Sequence, residues 1–287
     1  MPIPDTAPQT SERPQGGDPT VAALLTWFIP GAGHLYLGKL RTALLGFLAI
    51  QGLYALGVLL SKGMFLEYLP AEMRTRFAAV LTPEVGNLGG LLLHQAKFGY
   101  GMNFPRPWPA SMDIGTALTA LAGLLNVLFA THAHFEARRG DRPFAGHPAP
   151  AVAATATFLV PGAGQLLQGR RGRGLLIFVS LVGLFVIGCV LAEGANLDRE
   201  RHFYYWAGQF LLGLPAIAAE FAHGHPMVTS DIAYADAGVV LGCVAGMLNV
   251  LAMLDAYGWS EAKILGRPLA SAAPEEEGGQ AAQEASA

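Results

Sequence analysis

The tetrapeptide Pro30-Gly31-Ala32-Gly33 recurs 131 residues later as Pro161-Gly162-Ala163-Gly164. Around it, Val21 to Gly38 and Val152 to Gly169 are identical at ten of eighteen aligned positions. A later alignment, at an offset of 123, matches Ala122-Gly-Leu-Leu-Asn-Val-Leu128 with Ala245-Gly-Met-Leu-Asn-Val-Leu251. The chain is therefore a duplication, and it must fold as two like units. Each copy opens on an apolar stretch broken in its middle, where proline removes a backbone donor and glycine loosens the helix. A straight spanning helix is not expected there.

Only 14% of the 287 residues are charged and 52% are hydrophobic, against about 25% charged in soluble domains. That is a bilayer composition. Thr42 to Ser61 and Asp113 to Glu136 in the first copy, and Leu175 to Ala192 and Asp236 to Tyr257 in the second, are long enough to cross about 30 Å of hydrocarbon. Between them, residues 62–112 hold one apolar core, Leu88 to Leu93, too short to cross. Residues 193–235 hold Phe203 to Phe221, interrupted by Gln209 and Pro215. The first reads as an amphipathic or re-entrant element outside the bilayer centre, and the second is expected to dip in from outside and return. Residues 1–20 read as a disordered arm and 268–287 as a disordered acidic tail. The repeats occupy 21–140 and 151–267, joined by a linker over 141–150.

Ten of the eighteen Lys and Arg fall in four short stretches, 38–42, 137–149, 169–173 and 261–267. The positive-inside rule makes these cytoplasmic, with a cytoplasmic C-terminus. Val152 to Gly169 then has arginines at both ends, which predicts a re-entrant hairpin bent at Pro-Gly-Ala-Gly. A kinked spanning helix would instead put one arginine cluster outside. The expected fold is an all-α membrane protein of two parallel repeats. Each repeat has a broken or re-entrant helical hairpin, two spanning helices and an outer-side amphipathic or re-entrant element, and an axis along the membrane normal relates the two.

Gly31-Ala-Gly-His-Leu-Tyr-Leu-Gly38, followed by Lys39 and the helix from Thr42, resembles the signature of the two-transmembrane-helix (TM-two-like) domain. The duplicated layout is similar to uncharacterised bacterial multi-pass membrane families built from it. In the second copy Gln165, Leu167 and Gln168 stand in place of His34, Tyr36 and Leu37. The resemblance implies an inner-membrane location and no enzymatic activity.

The candidate positions follow from the repeat. Pro30, Gly31, Gly33 and Gly38, with Pro161, Gly162, Gly164 and Gly169, are backbone-limited by a sharp turn. His34 and its counterpart Gln165 sit at the helix break, where freed backbone groups can hold a ligand or be tied down by a hydrogen bond. Asn126 and Asn249 lie three residues beyond small-xxx-small stripes, Gly115/Thr119/Gly123 and Gly238/Gly242/Gly246, and are expected to face the bundle interior near the pseudo-twofold axis. His132 and His134, two apart, point about 200° apart on a helix and make a poor chelate; His223 and His225 fall in an outer loop, and no metal site is assigned. Asp113 and Asp236 are expected to cap their helices. Trp108, Tyr204, Tyr205 and Trp206 read as an interfacial belt, and Cys189 and Cys243 as apolar packing residues.

No constellation names a reaction, a cofactor or a metal, and no basic face suits nucleic acid. Three classes remain. A non-catalytic structural or accessory component of an envelope complex, with the lipid bilayer and other membrane proteins as partners, comes first because polar residues in the spans form no reactive set. A small-solute or lipid transporter comes second, and a membrane-embedded enzyme third.

Overall fold

The computed structural model describes residues 17–69, 82–99, 107–198, 201–223 and 231–267. Most of the expected N-terminal arm, the acidic tail, Glu72, Arg74, Arg76 and His225 lie outside the described residues. Among the described residues the structure is helical throughout. Four helices are long and apolar enough to cross a membrane: α3 (Leu40–Leu60), α5 (Met112–Arg139), α8 (Arg171–Leu191) and α11 (Ala235–Leu265). The protein is a multi-pass membrane protein.

Each repeat opens on a short helical hairpin. In the first, α1 (Pro19–Phe28) and α2 (Ala32–Tyr36) are joined by a turn at Pro30. Helix α1 begins inside the expected arm, because the Asp18 carboxylate accepts a hydrogen bond from Val21 N at 2.9 Å and caps it. The ends of the hairpin meet, with Asp18 N donating to the Tyr36 hydroxyl at 3.1 Å. Gly31, at φ +85°, starts α2 from the left-handed region, and Gly162 repeats this at φ +82° before α7 (Ala163–Leu167). In the second repeat α6 (Pro150–Leu159) takes the place of α1.

The small-residue stripes bring backbones together. A methyl group on Gly57 of α3 would stand 2.7 Å from the Gly115 carbonyl oxygen of α5. One on Gly188 of α8 would stand 2.8 Å from Gly238 O of α11. Packing this close maximises dispersion contacts, which drive helix association where lipid is as apolar as the side chains.

The segment over 62–112, expected outside the bilayer centre, packs back against the middle of α5, and Phe203 to Phe221, expected to dip inward, packs against α11. A 3-10 turn over Pro83–Asn87 lies against the middle of α5, where Gly123 leaves room for the Pro83 backbone, and leads into α4 (Leu88–Phe98). Helix α4 then runs to the far end of α3, where a His94 Nε2 hydrogen bond of 2.8 Å joins it to Gly63 O. In the second repeat α9 (Phe203–Phe210) and α10 (Leu214–His223) do the same, with Gly208 against Gly246. The physical reason is steric, since glycines at the middle of α5 and α11 open a slot for backbone.

Two further expectations are corrected. Trp206 is 2% exposed and donates its indole N–H to Glu220 at 3.1 Å, so it is a core residue held by a buried carboxylate rather than part of a belt. Helices α5 and α11 start one residue before Asp113 and Asp236, which stand in the first turn rather than at the cap; Asp113 accepts a hydrogen bond from the Tyr68 hydroxyl.

Candidate functional site

The C-terminal end of α1 abuts the N-terminal end of α4. The Phe28 carbonyl oxygen lies against Gly89, and the Trp27 indole N–H donates to Val85 O at 2.8 Å. Ten and eleven residues long, the two helices together measure about 31 Å at 1.5 Å per residue. Placed end to end, they have the length of one composite span interrupted at its middle. Helices α6 and α10, ten residues each, repeat the device, with Gly213 against the Phe158 carbonyl. In both, the negative end of one half-helix dipole faces the positive end of the next.

The break leaves last-turn carbonyls of α1 without intrahelical partners, and Asn126 answers them. Its fully buried Nδ2 lies 2.9 Å from Thr26 O, 3.3 Å from Trp27 O and 2.9 Å from Gly86 O. Asn249 does the same work, at 3.1 Å from Thr157 O and 3.0 Å from Leu211 O. Each asparagine thus joins the elements of its own repeat. Neither amide oxygen has a hydrogen-bond partner among the described residues.

One turn nearer the hairpin, a threonine locks the bend. The Thr26 hydroxyl donates to Ala22 O at 3.0 Å and accepts from Gly33 N at 3.1 Å. The Thr157 hydroxyl donates to Ala153 O and accepts from Gly164 N, each at 3.1 Å. Sequence reasoning passed over both threonines, although they are among the ten identical positions. Pro30 and Pro161 are buried in the turns, while Gly38 (φ +74°) and Gly169 (φ +78°) form the left-handed bends that lead into α3 and α8.

At the hairpin end rich in arginine, side chains tie α2 to α5 and α7 to α11. His34 Nε2 and His132 Nδ1 are 2.7 Å apart, and the His34 ring stacks on Phe129 at 4.1 Å. The His34 side chain is fully buried. In the second repeat Gln165 donates to Asp255 at 3.1 Å. Positions 34 and 132 therefore change together between copies, His–His becoming Gln–Asp, a signal present in the sequence at the two repeat offsets.

A carboxylate flanked by two cations completes each copy. Glu136, 5% exposed, is paired with Lys39 and with Arg139 at 2.9 Å; burial, then Arg139, lower the Lys39 pKa from its ordinary value. Asp255 is paired with Arg170 at 2.9 Å and Arg173 at 2.8 Å. An Arg138–Glu261 pair at 2.7 Å and a Tyr257 hydroxyl bond to Thr131 O at 3.2 Å join one repeat to the other. Among the described residues no group of three His, Cys, Asp or Glu is placed to hold a metal ion. The arrangement fixes helix ends; its side chains hold one another.

Comparison with known proteins agrees with the duplication. The profile of a family of unknown function, DUF6677, matches twice, over residues 21–142 and 152–268, one match for each repeat. No curated protein and no solved structure matches the chain. With most of its length covered by the two matches, the chain belongs to DUF6677, the family of unknown function.

Proposed function

We propose that the protein is a non-catalytic structural or accessory component of an envelope complex in a bacterial inner membrane. One observation carries this reading. The middle of each composite span, where discontinuous helices of transporters bind their solutes, is filled by an asparagine amide bonded to backbone carbonyls and by glycine-to-backbone contact. A filled junction suits a rigid platform and leaves no space there for a passing solute.

The basic end is cytoplasmic in this reading, on the positive-inside rule, and so is the C-terminus. Each hairpin enters from the cytoplasm, turns at mid-depth and returns, which the Asp18–Tyr36 contact supports. Helices α4 and α9–α10 dip in from the other side to meet it. The resemblance of Gly31 to Gly38 to the TM-two-like domain fits such a role.

The test is affinity purification of the tagged protein in mild detergent. Recovery of the same membrane proteins at fixed stoichiometry is the expected result. A chain recovered without partners that moves a solute or lipid across proteoliposomes would replace this reading with transport.

A further inference from the structure

The first repeat carries a groove whose lining residues differ from their counterparts in the second. Between α3 and α4 lies a cleft of about 600 Å³, walled by Ala55, Leu59 and Leu93 and ending at Lys62 and Lys97. Leu59 and Leu93 are 73% and 74% exposed, so the walls open sideways from the helix bundle. In a membrane that opening faces acyl chains. Both lysines are exposed and neither forms an ion pair with a described residue. They are neighbours in space, because Gly63 packs against Phe98. Two of the lining residues, Tyr54 and His94, are 6% and 5% exposed, and the buried Tyr54 hydroxyl and His94 Nδ1 have no hydrogen-bond partner among the described residues.

The duplication supplies an internal control. At the 131-residue offset, Gln51, Tyr54 and Lys62 become Val182, Phe185 and Glu193. Lys62 and Glu193 share the same unusual backbone, at φ 49° and 50°, just past the ends of α3 and α8. The same scaffold thus carries polar groups and a cation in one copy, and apolar groups and an anion in the other. Packing alone would need no such change, since the two helices are built alike.

We infer that the α3–α4 groove binds one anionic glycerophospholipid, with an acyl chain along Ala55, Leu59 and Leu93 and the phosphate held by Lys62 and Lys97. The groove's chemistry names the occupant: its walls at Ala55, Leu59 and Leu93 are apolar, it opens to the bilayer, and its two cations stand at its end. Two lysines at that depth attract a lipid phosphate and, with long stems, reach the interface. The lipid comes from the leaflet opposite the arginine-rich end. The inference depends on the four apolar helices crossing a membrane and not on the scaffold role.

The test uses the full chain purified in detergent, with phosphatidylglycerol and phosphatidylcholine of equal chain length as probes. Native mass spectrometry should show one phosphatidylglycerol retained in preference to phosphatidylcholine, and phosphatidylglycerol should raise the melting temperature more. Lys62→Glu with Lys97→Glu should abolish that preference, Lys62→Arg with Lys97→Arg should keep it, and Arg171→Glu at the opposite end should leave it unchanged. If the double glutamate variant does not fold, Ala55→Trp, which fills the cleft and leaves both lysines, should abolish retention. Equal retention of the two lipids by the unaltered protein, or a preference that survives Ala55→Trp, would overturn the inference.

Discussion

Asn126 Nδ2 lies 2.9 Å from the carbonyl oxygen of Thr26, a hydrogen bond between residues one hundred apart in the chain that closes the broken end of α1. Asn249 and Thr157 form the same bond at 3.1 Å. At mid-depth in a bilayer no water replaces a lost donor, and each unsatisfied backbone group is costly. Asn126→Leu leaves the carbonyls of Thr26, Trp27 and Gly86 without their shared donor. The expected loss is about 1–3 kcal/mol, read as a lower melting temperature in detergent. Asn249→Leu should behave alike. A variant as stable as the unaltered protein would show that the junction does not need the amide.

The glycines of the turn separate into two kinds. A methyl group on Gly33 or Gly164 would overlap the carbonyl of Ala22 or Ala153 and the threonine hydroxyl beside it, whereas one on Gly38 or Gly169 meets nothing. Gly33→Ala and Gly164→Ala should therefore lower folded yield as severely as valine does. Gly38→Ala should cost only the left-handed backbone penalty, about 1–2 kcal/mol. Comparable yields of Gly33→Ala and Gly38→Ala in size-exclusion profiles would refute the close-contact argument.

How much of this was legible in the sequence depends on whether a cue was local or lay between repeats. Proline and glycine at the bend act on their own backbone, so the hairpin could be read directly. The asparagines could be placed inside because an amide facing lipid is costly and both copies carry one beside a glycine stripe. The abutment of α1 on α4 could not, because Phe28 and Gly89 are far apart in the chain and nothing local marks their contact. Trp206 misled for a similar reason: its neighbours Tyr204 and Tyr205 are exposed, and the Glu220 that buries it lies on the next helix. The His34–His132 contact leaves a trace in the sequence, since both positions change together between the repeats, to Gln165 and Asp255.

The last prediction concerns the path of the hairpins. The Asp18–Tyr36 bond brings the two ends of the first hairpin together, and arginines flank both ends of the second. If both hairpins enter and leave on the cytoplasmic side, cysteines at Arg139, Arg171 and Lys263 are shielded from a membrane-impermeant thiol reagent applied outside intact cells. Cysteines at Asp198 and Trp108 are labelled. Ile29 provides the sharper case, because it is 54% exposed on the protein surface yet sits at the bend. With the bend at mid-depth, Ile29→Cys meets lipid, where a thiol does not ionise and an aqueous maleimide does not reach. It should stay unlabelled from outside, remain unlabelled when the membrane is opened, and react once the protein is denatured. Labelling of Ile29→Cys in opened but otherwise native membranes would place the bend at a water-exposed surface and remove the re-entrant path.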